Sequence, residues 1–230
     1  IAFRTFDDPR VNIDILAKPF ISRGYVESGS YVFESKHLLA RHYELPGDDQ
    51  APRVFISELK CADFSPRLQE VIKNSIDQIP KELLNEEKLI FSGNVFGKPD
   101  YETYEFLREE SEYAAWMYVF GFRANHFTVS VNHLRKYNTL EKVNDFIKSK
   151  GFKLNTSGGE IKGTPEQLLR QSSTLADLIE IDFTSGIREI PSCYYEFAER
   201  YTTTDGKLYS GFIAASADKI FESTDFRKKG

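Results

Sequence analysis

The stretch Phe122-Arg123-Ala124-Asn125-His126-Phe127-Thr128-Val129-Ser130-Val131-Asn132 decides how this chain is read. Its residues alternate with a period of two, the mark of a β-strand. Asn125, Phe127, Val129 and Val131 would face one side, and His126, Thr128, Ser130 and Asn132 the other. Four polar positions in a row on one face fit a cavity wall or a solvated outer face. In the first case His126 is a metal ligand or a proton-transfer group; in the second it is incidental.

Before this strand, Ile1–Phe6 reads as a strand and Val11–Arg23 as a helix stopped at Gly24. Tyr25–Ser35, Leu38–Leu45 and Arg53–Lys60 read as three more strands, divided by Gly, Pro and Asp. After it, Leu140–Lys150 is helical and ends at Gly151, and Phe152–Gly163, Leu175–Phe183 and Cys193–Tyr201 read as strands. The order βαβββ therefore occurs twice. The helices end alike, in Phe20-Ile21-Ser22-Arg23-Gly24-Tyr25 and Phe146-Ile147-Lys148-Ser149-Lys150-Gly151-Phe152, an offset of 126 positions (146 − 20). Between the repeats, helical patterns over Ser65–Phe91 and Tyr101–Phe120 form an insert. The reading is α+β: residues 1–60 and 122–230 as two βαβββ modules, 61–121 as a helical insert, and 1–230 as one domain with a C-terminal helix at Ser216–Glu222. Two such modules can each give half of a sheet that closes around a shared cavity, a half-open barrel.

Composition excludes several function classes. A net charge of −5 and a pI near 5.5 disfavour a nucleic-acid or anionic-membrane surface. No apolar run approaches the roughly 20 residues of a membrane span. Cys61 and Cys193 are the only cysteines, too few for a disulfide framework or a Cys-based zinc site, and they suggest a reducing, cytoplasmic setting. Ile1 opens inside a strand, so residues are expected upstream of it.

The last strand, Ser192 to Arg200, alternates so that Tyr194, Glu196, Ala198 and Arg200 share a face. A carboxylate in mid-strand needs a partner, either a cation such as Arg200 or a metal. Two imidazoles and one carboxylate around an ion leave positions open for substrate and O2, the pattern of non-haem Fe(II) sites, whereas zinc brings no redox activity. The offset of 126 carries His126 to the position just before Ile1.

Ile1–Phe6, Phe55–Lys60, Ala124–Thr128 and Tyr195-Glu196-Phe197-Ala198-Glu199-Arg200 resemble the 2-oxoadipate dioxygenase/decarboxylase (2-hydroxyglutarate synthase) family, over nearly the whole chain. The last segment also resembles the Glu-bearing strand of 4-hydroxyphenylpyruvate dioxygenases. The resemblance implies a vicinal-oxygen-chelate, glyoxalase-like fold and Fe(II) as cofactor. It implies His126 and Glu196 as metal ligands, with a third, His, immediately upstream of Ile1. It implies Arg4 as the group that grips a substrate carboxylate. The implied reaction takes a 2-oxo dicarboxylic acid and O2 to a 2-hydroxy acid and CO2, as in lysine degradation. Partners are then the 2-oxo acid and O2, with no nucleic acid and no membrane. Alternatives are a glyoxalase-like metal-dependent lyase or isomerase, and a metal-free module that binds a small anion.

Lesser candidates complete the reading. Glu58 is a possible fourth ligand, or a partner of Lys60. Ser210 and Gly211, before the last helix, are expected to approach substrate through backbone that glycine leaves open. Ser57, Thr128 and Ser130 suit a pocket lining, or local backbone bonds. Asp7-Asp8 reads as a turn and cap, Trp116 and Tyr118 as core, and His37, His42 and His133 as surface residues.

Overall fold

The computed structural model describes residues 1–84, 86–213, 219–220 and 222–224. The chain forms two compact units, residues 1–125 with 179–190 and residues 126–178 with 191–230.

The first unit opens as the alternation requires. Strand β1 (Ala2–Phe6) leads to helix α1 (Ile13–Ile21), then β2 (Val26–Phe33), β3 (Leu38–Glu44) and β4 (Val54–Leu59), in the spatial order β2-β3-β4-β1. The side chain of Asn12 caps α1, and Gly24 takes φ +90° just past its end. β1 runs parallel to β4 with Arg4 opposite Ser57 and Thr5 opposite Glu58, so Arg4 and Glu58 face opposite sides of the sheet. The insert packs in this unit as α2 (Pro66–Asp77), α3 (Lys81–Leu84), α4 (Tyr101–Glu110) and α5 (Glu112–Phe120). The expected long helices are broken. Pro80 follows α2, and Ser111, in extended conformation, ends α4 and caps α5 through its side chain.

The second unit holds β5 (Ala124–Ser130) from His126 onward, α6 (Leu140–Ser149), β6 (Lys162–Thr164), β7 (Leu169–Ser173) and β10 (Tyr194–Arg200), its strands in the order β5-β10-β7-β6. The βαβββ order is therefore present, but with different strands from those expected. Leu175–Phe183 does not join the module. Its core, β8 (Leu178–Phe183), pairs only with β9 (Gly186–Pro191) in a two-stranded ribbon. Residues 179–190 of that ribbon fold onto the insert: Phe183 meets Tyr101 and Tyr104 at 5.1 and 5.7 Å, and Lys98 bonds Asp182 at 2.8 Å. The true strand β7 reads Leu-Arg-Gln-Ser-Ser, without an apolar face. It is buried because its polar side chains find partners, such as Ser172 on Asn144 at 2.7 Å. Phe152–Gly163 shrinks to β6. Most of Ser216–Glu222 lies outside the described residues, and Glu222–Thr224 form a 3-10 turn.

Helix α6 covers one face of this sheet, where Leu140, Val143, Val131 and Phe197 form a core with Val129 and Ile147 against it. Phe127, on that same face, is 47 % exposed, beside Tyr195 at 6.3 Å. The polar face is the opposite one.

Candidate active site

Strand β10 runs parallel to β5 with Tyr194 opposite His126 and Glu196 opposite Thr128. Register partners point the same way, so His126 and Glu196 share a face, one pleat apart. His126 Nε2 lies 3.2 Å from Glu196 Oε2, both side chains being almost wholly buried (residue exposures 7 and 3 %). The His126 ring stacks on Tyr194 with centroids 4.6 Å apart, and Tyr194 in turn packs with Ala176 and Ile220. His126 is therefore a buried residue and not an incidental one on a solvated outer face.

Gln171 completes the group. It faces Ala198 across the antiparallel β7–β10 pair and donates through Nε2 to Glu196 Oε1. Glu196 Oε1 is thereby engaged and Oε2 is left toward His126. Burial alone would raise the Glu196 carboxyl, but the bond to His126, its charge, and the Gln171 and Arg200 neighbours outweigh it and hold the pKa below the ordinary carboxylate value. Lys162 sits opposite Gln171 on β6, buried, and donates to the Asn155 carbonyl at 2.6 Å; burial lowers its pKa to about 8. Neither Gln171 nor Lys162 was singled out from sequence. The signal was there in the alternation Leu169, Gln171, Ser173, but too short to stand out.

In the first unit Arg4 is 3 % exposed, its guanidinium over the rings of Tyr113 and Trp116 at 4.8 and 5.1 Å. Among the described residues its Nε and Nη1 have no hydrogen-bond partner. Tyr113 is fixed in turn: its hydroxyl donates to the Ser57 carbonyl at 2.6 Å and accepts from the Thr5 N–H at 2.9 Å. A buried guanidinium with unmet donors between two aromatic faces is suited to a planar anion. Trp116, expected in the core, is buried there as the floor of this cradle.

Other expectations are corrected. Glu58 is not beside Arg4's face, nor on Lys60: its Oε2 accepts the Ile13 N–H at 2.9 Å and so caps α1. Its counterpart is Glu199, whose Oε2 accepts the Leu140 N–H at the start of α6 at 3.1 Å. His42 is buried rather than on the surface, with Nδ1 2.9 Å from the Tyr31 hydroxyl and Nε2 2.9 Å from Glu44. It fits because its register partner is Gly29, where a Cβ would lie 2.8 Å from the ring. His133 is exposed, as expected, and His37 is half-buried, its Nδ1 3.0 Å from Asp63. Arg200 donates to the carbonyls of Tyr209 and Gly211 at 2.9 and 2.7 Å, tying the loop that holds Ser210 to the last strand. A Cβ at Gly211 would meet the Tyr209 ring, a contact within the loop itself.

The family profile of 2-oxoadipate dioxygenase/decarboxylase matches residues 81–208. A 2-oxoadipate dioxygenase/decarboxylase from Arabidopsis thaliana, named as chloroplastic, is 37 % identical over 97 % of this chain and 67 % of its own length. The chain belongs to the 2-oxoadipate dioxygenase/decarboxylase family. It is thus an enzyme of this kind. The crystal structure of the Oryza sativa hydroxyglutarate synthase with 2-oxoadipate matches with a TM-score of 0.91 and 37 % identity, covering 98 % of this chain and 80 % of that one. A Shewanella frigidimarina structure, described as that of a hydrolase, matches at 52 % identity and TM-score 0.88, covering 93 % of this chain and 84 % of that one. A glyoxalase superfamily protein from Ralstonia eutropha JMP134 shares the fold at TM-score 0.68 and 19 % identity, covering 92 and 73 % of the two chains. The vicinal-oxygen-chelate-like fold is that of this family member.

Proposed function

We propose that this family member is an Fe(II)-dependent enzyme that converts a 2-oxo dicarboxylic acid of the 2-oxoadipate type and O2 to a 2-hydroxy acid and CO2. The observation that carries the reading is the convergence of His126 Nε2 and Glu196 Oε2 to 3.2 Å on one buried face. Two donors bound at right angles to one ion, each about 2.1 Å from it, lie about 3 Å apart, so the pair fits an ion between them. Among the described residues no group of three or more His, Cys, Asp and Glu side chains is gathered. The third ligand of the proposal, a His just before Ile1, lies outside the sequence.

Bound Fe(II) would supply open coordination positions for a 2-oxo acid and the redox activity that O2 chemistry needs. The remaining roles belong to side chains of this chain. Tyr194 holds the His126 ring by stacking. Gln171 occupies Glu196 Oε1 and so leaves one oxygen for the ion. Arg4 offers its unmet N–H groups to a substrate carboxylate. Ser210 and Gly211, in the loop secured by Arg200, are assigned to the substrate through their backbone. Atoms balance without a second 2-oxo acid: both atoms of O2 leave in the hydroxy acid and CO2 taken together. The family relatives named for this reaction support it, and the two free thiols suit a cytoplasmic setting. The O2-dependent reading excludes the lyase alternative if O2 consumption matches loss of the 2-oxo acid.

The test is O2 uptake and CO2 release by Fe(II)-loaded protein given 2-oxoadipate. One O2 per 2-oxoadipate consumed is expected, with none by His126→Ala. Turnover without O2 would overturn the proposal, as would full activity in His126→Ala.

A further inference from the structure

A buried guanidinium is costly unless something offsets its charge. Arg4 is 3 % exposed, and among the described residues no carboxylate pairs with it and its Nε and Nη1 meet no acceptor. What lies against it is α5: Tyr113 and Trp116, three positions apart, set their rings 4.8 and 5.1 Å from its Cζ. A ring holds a guanidinium through its flat face and uses none of the N–H groups, which lie in the guanidinium plane. An acid in the same place would hold Arg4 too, but would occupy the donors that a ligand needs.

The Tyr113 ring is itself anchored, because its phenol oxygen is saturated. Its one proton goes to the Ser57 carbonyl at 2.6 Å, so the oxygen accepts in its other two contacts, from the Thr5 N–H at 2.9 Å and the Ser57 hydroxyl at 3.1 Å. Thr5 stands opposite Glu58 in the parallel pair β1–β4, which turns its N–H toward the Ser57 carbonyl. The phenol therefore stands at the join of the two strands, next to Arg4 on β1 and at the register partner of Arg4 on β4. Burial above all keeps this phenol protonated far beyond its ordinary range, so the proton to Ser57 stays in place.

We propose that Tyr113 is a positioning residue for Arg4: the hydroxyl anchored on Thr5 and Ser57 fixes the ring, and the ring fixes the direction in which Arg4 presents its N–H groups to a carboxylate. The last step rests on the reading of Arg4 as the group that grips a substrate carboxylate. A guanidinium held in this way meets its ligand with its rotamer already chosen, so binding does not have to order it. The role belongs to the hydroxyl as much as to the ring. Phenylalanine at this position would keep the aromatic face and lose the anchor. The Thr5 N–H and the Ser57 carbonyl can then turn to each other, so the strands stay joined while the ring is free to shift.

The experiment is a double-mutant cycle of Tyr113→Phe and Arg4→Met, assayed as Fe(II)-loaded protein with 2-oxoadipate. With Arg4 in place, Tyr113→Phe should raise KM about tenfold and leave kcat within about twofold. In the Arg4→Met background the same change should alter KM by less than about twofold, since Tyr113 acts through Arg4. An equal factor in both backgrounds, or an unfolding temperature lowered with KM unchanged, marks Tyr113 as merely structural and overturns the proposal. A second arm needs neither metal nor turnover. The Arg4 Nε–H signal, assigned by its loss in Arg4→Lys, is followed by proton–nitrogen NMR of the metal-free protein. Tyr113→Phe should move this signal and speed its exchange with water about tenfold. Ser57→Ala, which takes one donor from the phenol oxygen, is read in the same way if Tyr113→Phe does not fold. If Arg4→Met leaves KM at the wild-type value, the reading of Arg4 as the carboxylate grip fails, while the NMR arm still judges Tyr113. That arm also decides if Arg4→Met is too slow to assay: an Arg4 signal unchanged in position and exchange rate overturns the proposal.

Discussion

Replacing Gln171 by Leu separates packing from ligand positioning at the proposed metal centre. Gln171 is 1 % exposed, and Leu fills nearly the same space with the same helix-free β geometry. What is lost is the Nε2 bond to Glu196 Oε1. A hydrogen bond to a buried charged group contributes about 1.5–3 kcal/mol. Part of that loss is offset, because the variant also removes the buried Gln171 Oε1, which has no donor. A net loss of about 1 kcal/mol lowers the unfolding temperature by about 2–4 °C for a chain of this size. Metal affinity should suffer more, by about 10- to 100-fold, because Glu196 is then free to turn away from His126. The assay is competition with a chelator for Fe(II) or Co(II), with calorimetric unfolding of the metal-free protein alongside. Affinity within about threefold of wild type would refute the positioning role, whatever the unfolding temperature.

Four further changes test other parts of the structure. Arg4→Lys should raise KM for the 2-oxo acid about tenfold with kcat within about twofold, since a single ammonium cannot make the paired contact of a guanidinium; steady-state kinetics read this. Glu58→Ala should leave metal affinity and turnover unchanged while costing about 1 kcal/mol in thermal unfolding, as expected of a lost helix cap; a loss of metal affinity would restore Glu58 as a ligand. Gly29→Ala should destabilise by about 1–3 kcal/mol, because the new Cβ would meet the Tyr31 hydroxyl at 2.7 Å and the His42 ring at 2.8 Å. Lys162 titrates near 8 when folded against 10.5 when unfolded, so between these values the unfolded chain binds more protons and stability rises with pH. That rise, at most about 3 kcal/mol, should be absent from denaturant titrations of Lys162→Met.

The strands with apolar–polar alternation were legible before any coordinates: β1, β3, β4, β5 and β10 fall where the pattern puts them. Alternation puts His126 and Glu196 each on one face of its own strand, and the parallel register of β5 and β10 then brings the two side chains together. What failed was legible only in three dimensions. β7 has no apolar face; its burial depends on Asn144, Ser223 and Glu196, from three separate parts of the chain. Leu178–Phe183 alternates like a module strand, yet Phe183 is held by the rings of Tyr101 and Tyr104, and no local pattern announces that choice. Glu58 reads in the sequence as a possible fourth ligand, in the company of Glu196. Hydrogen bonding pairs it with Glu199 instead, three positions on, since a carboxylate at a helix start has a use independent of any ion.

That pairing shows how a repeated module can come to hold unlike chemistry. With Glu58 set on Glu199, Ser57 falls on Ala198 and Phe55 on Glu196. The strand partners then set Arg4, opposite Ser57, on Ser130, opposite Ala198, which is again an offset of 126 positions (130 − 4). The capping carboxylate is common to both modules because both helices need it. The rows on the other face have diverged: Glu196 answers to the apolar Phe55, and Arg4 to the small Ser130. An Arg at 130 would lack the Tyr113 and Trp116 faces that the insert supplies to Arg4. The helical insert is thus what makes a buried guanidinium tenable in the first module, as the polar strand β7 makes a buried carboxylate tenable in the second. One charge is sustained by an insert that its own module carries, the other by a strand whose counterpart, β3, sets Ala40 where β7 has Gln171.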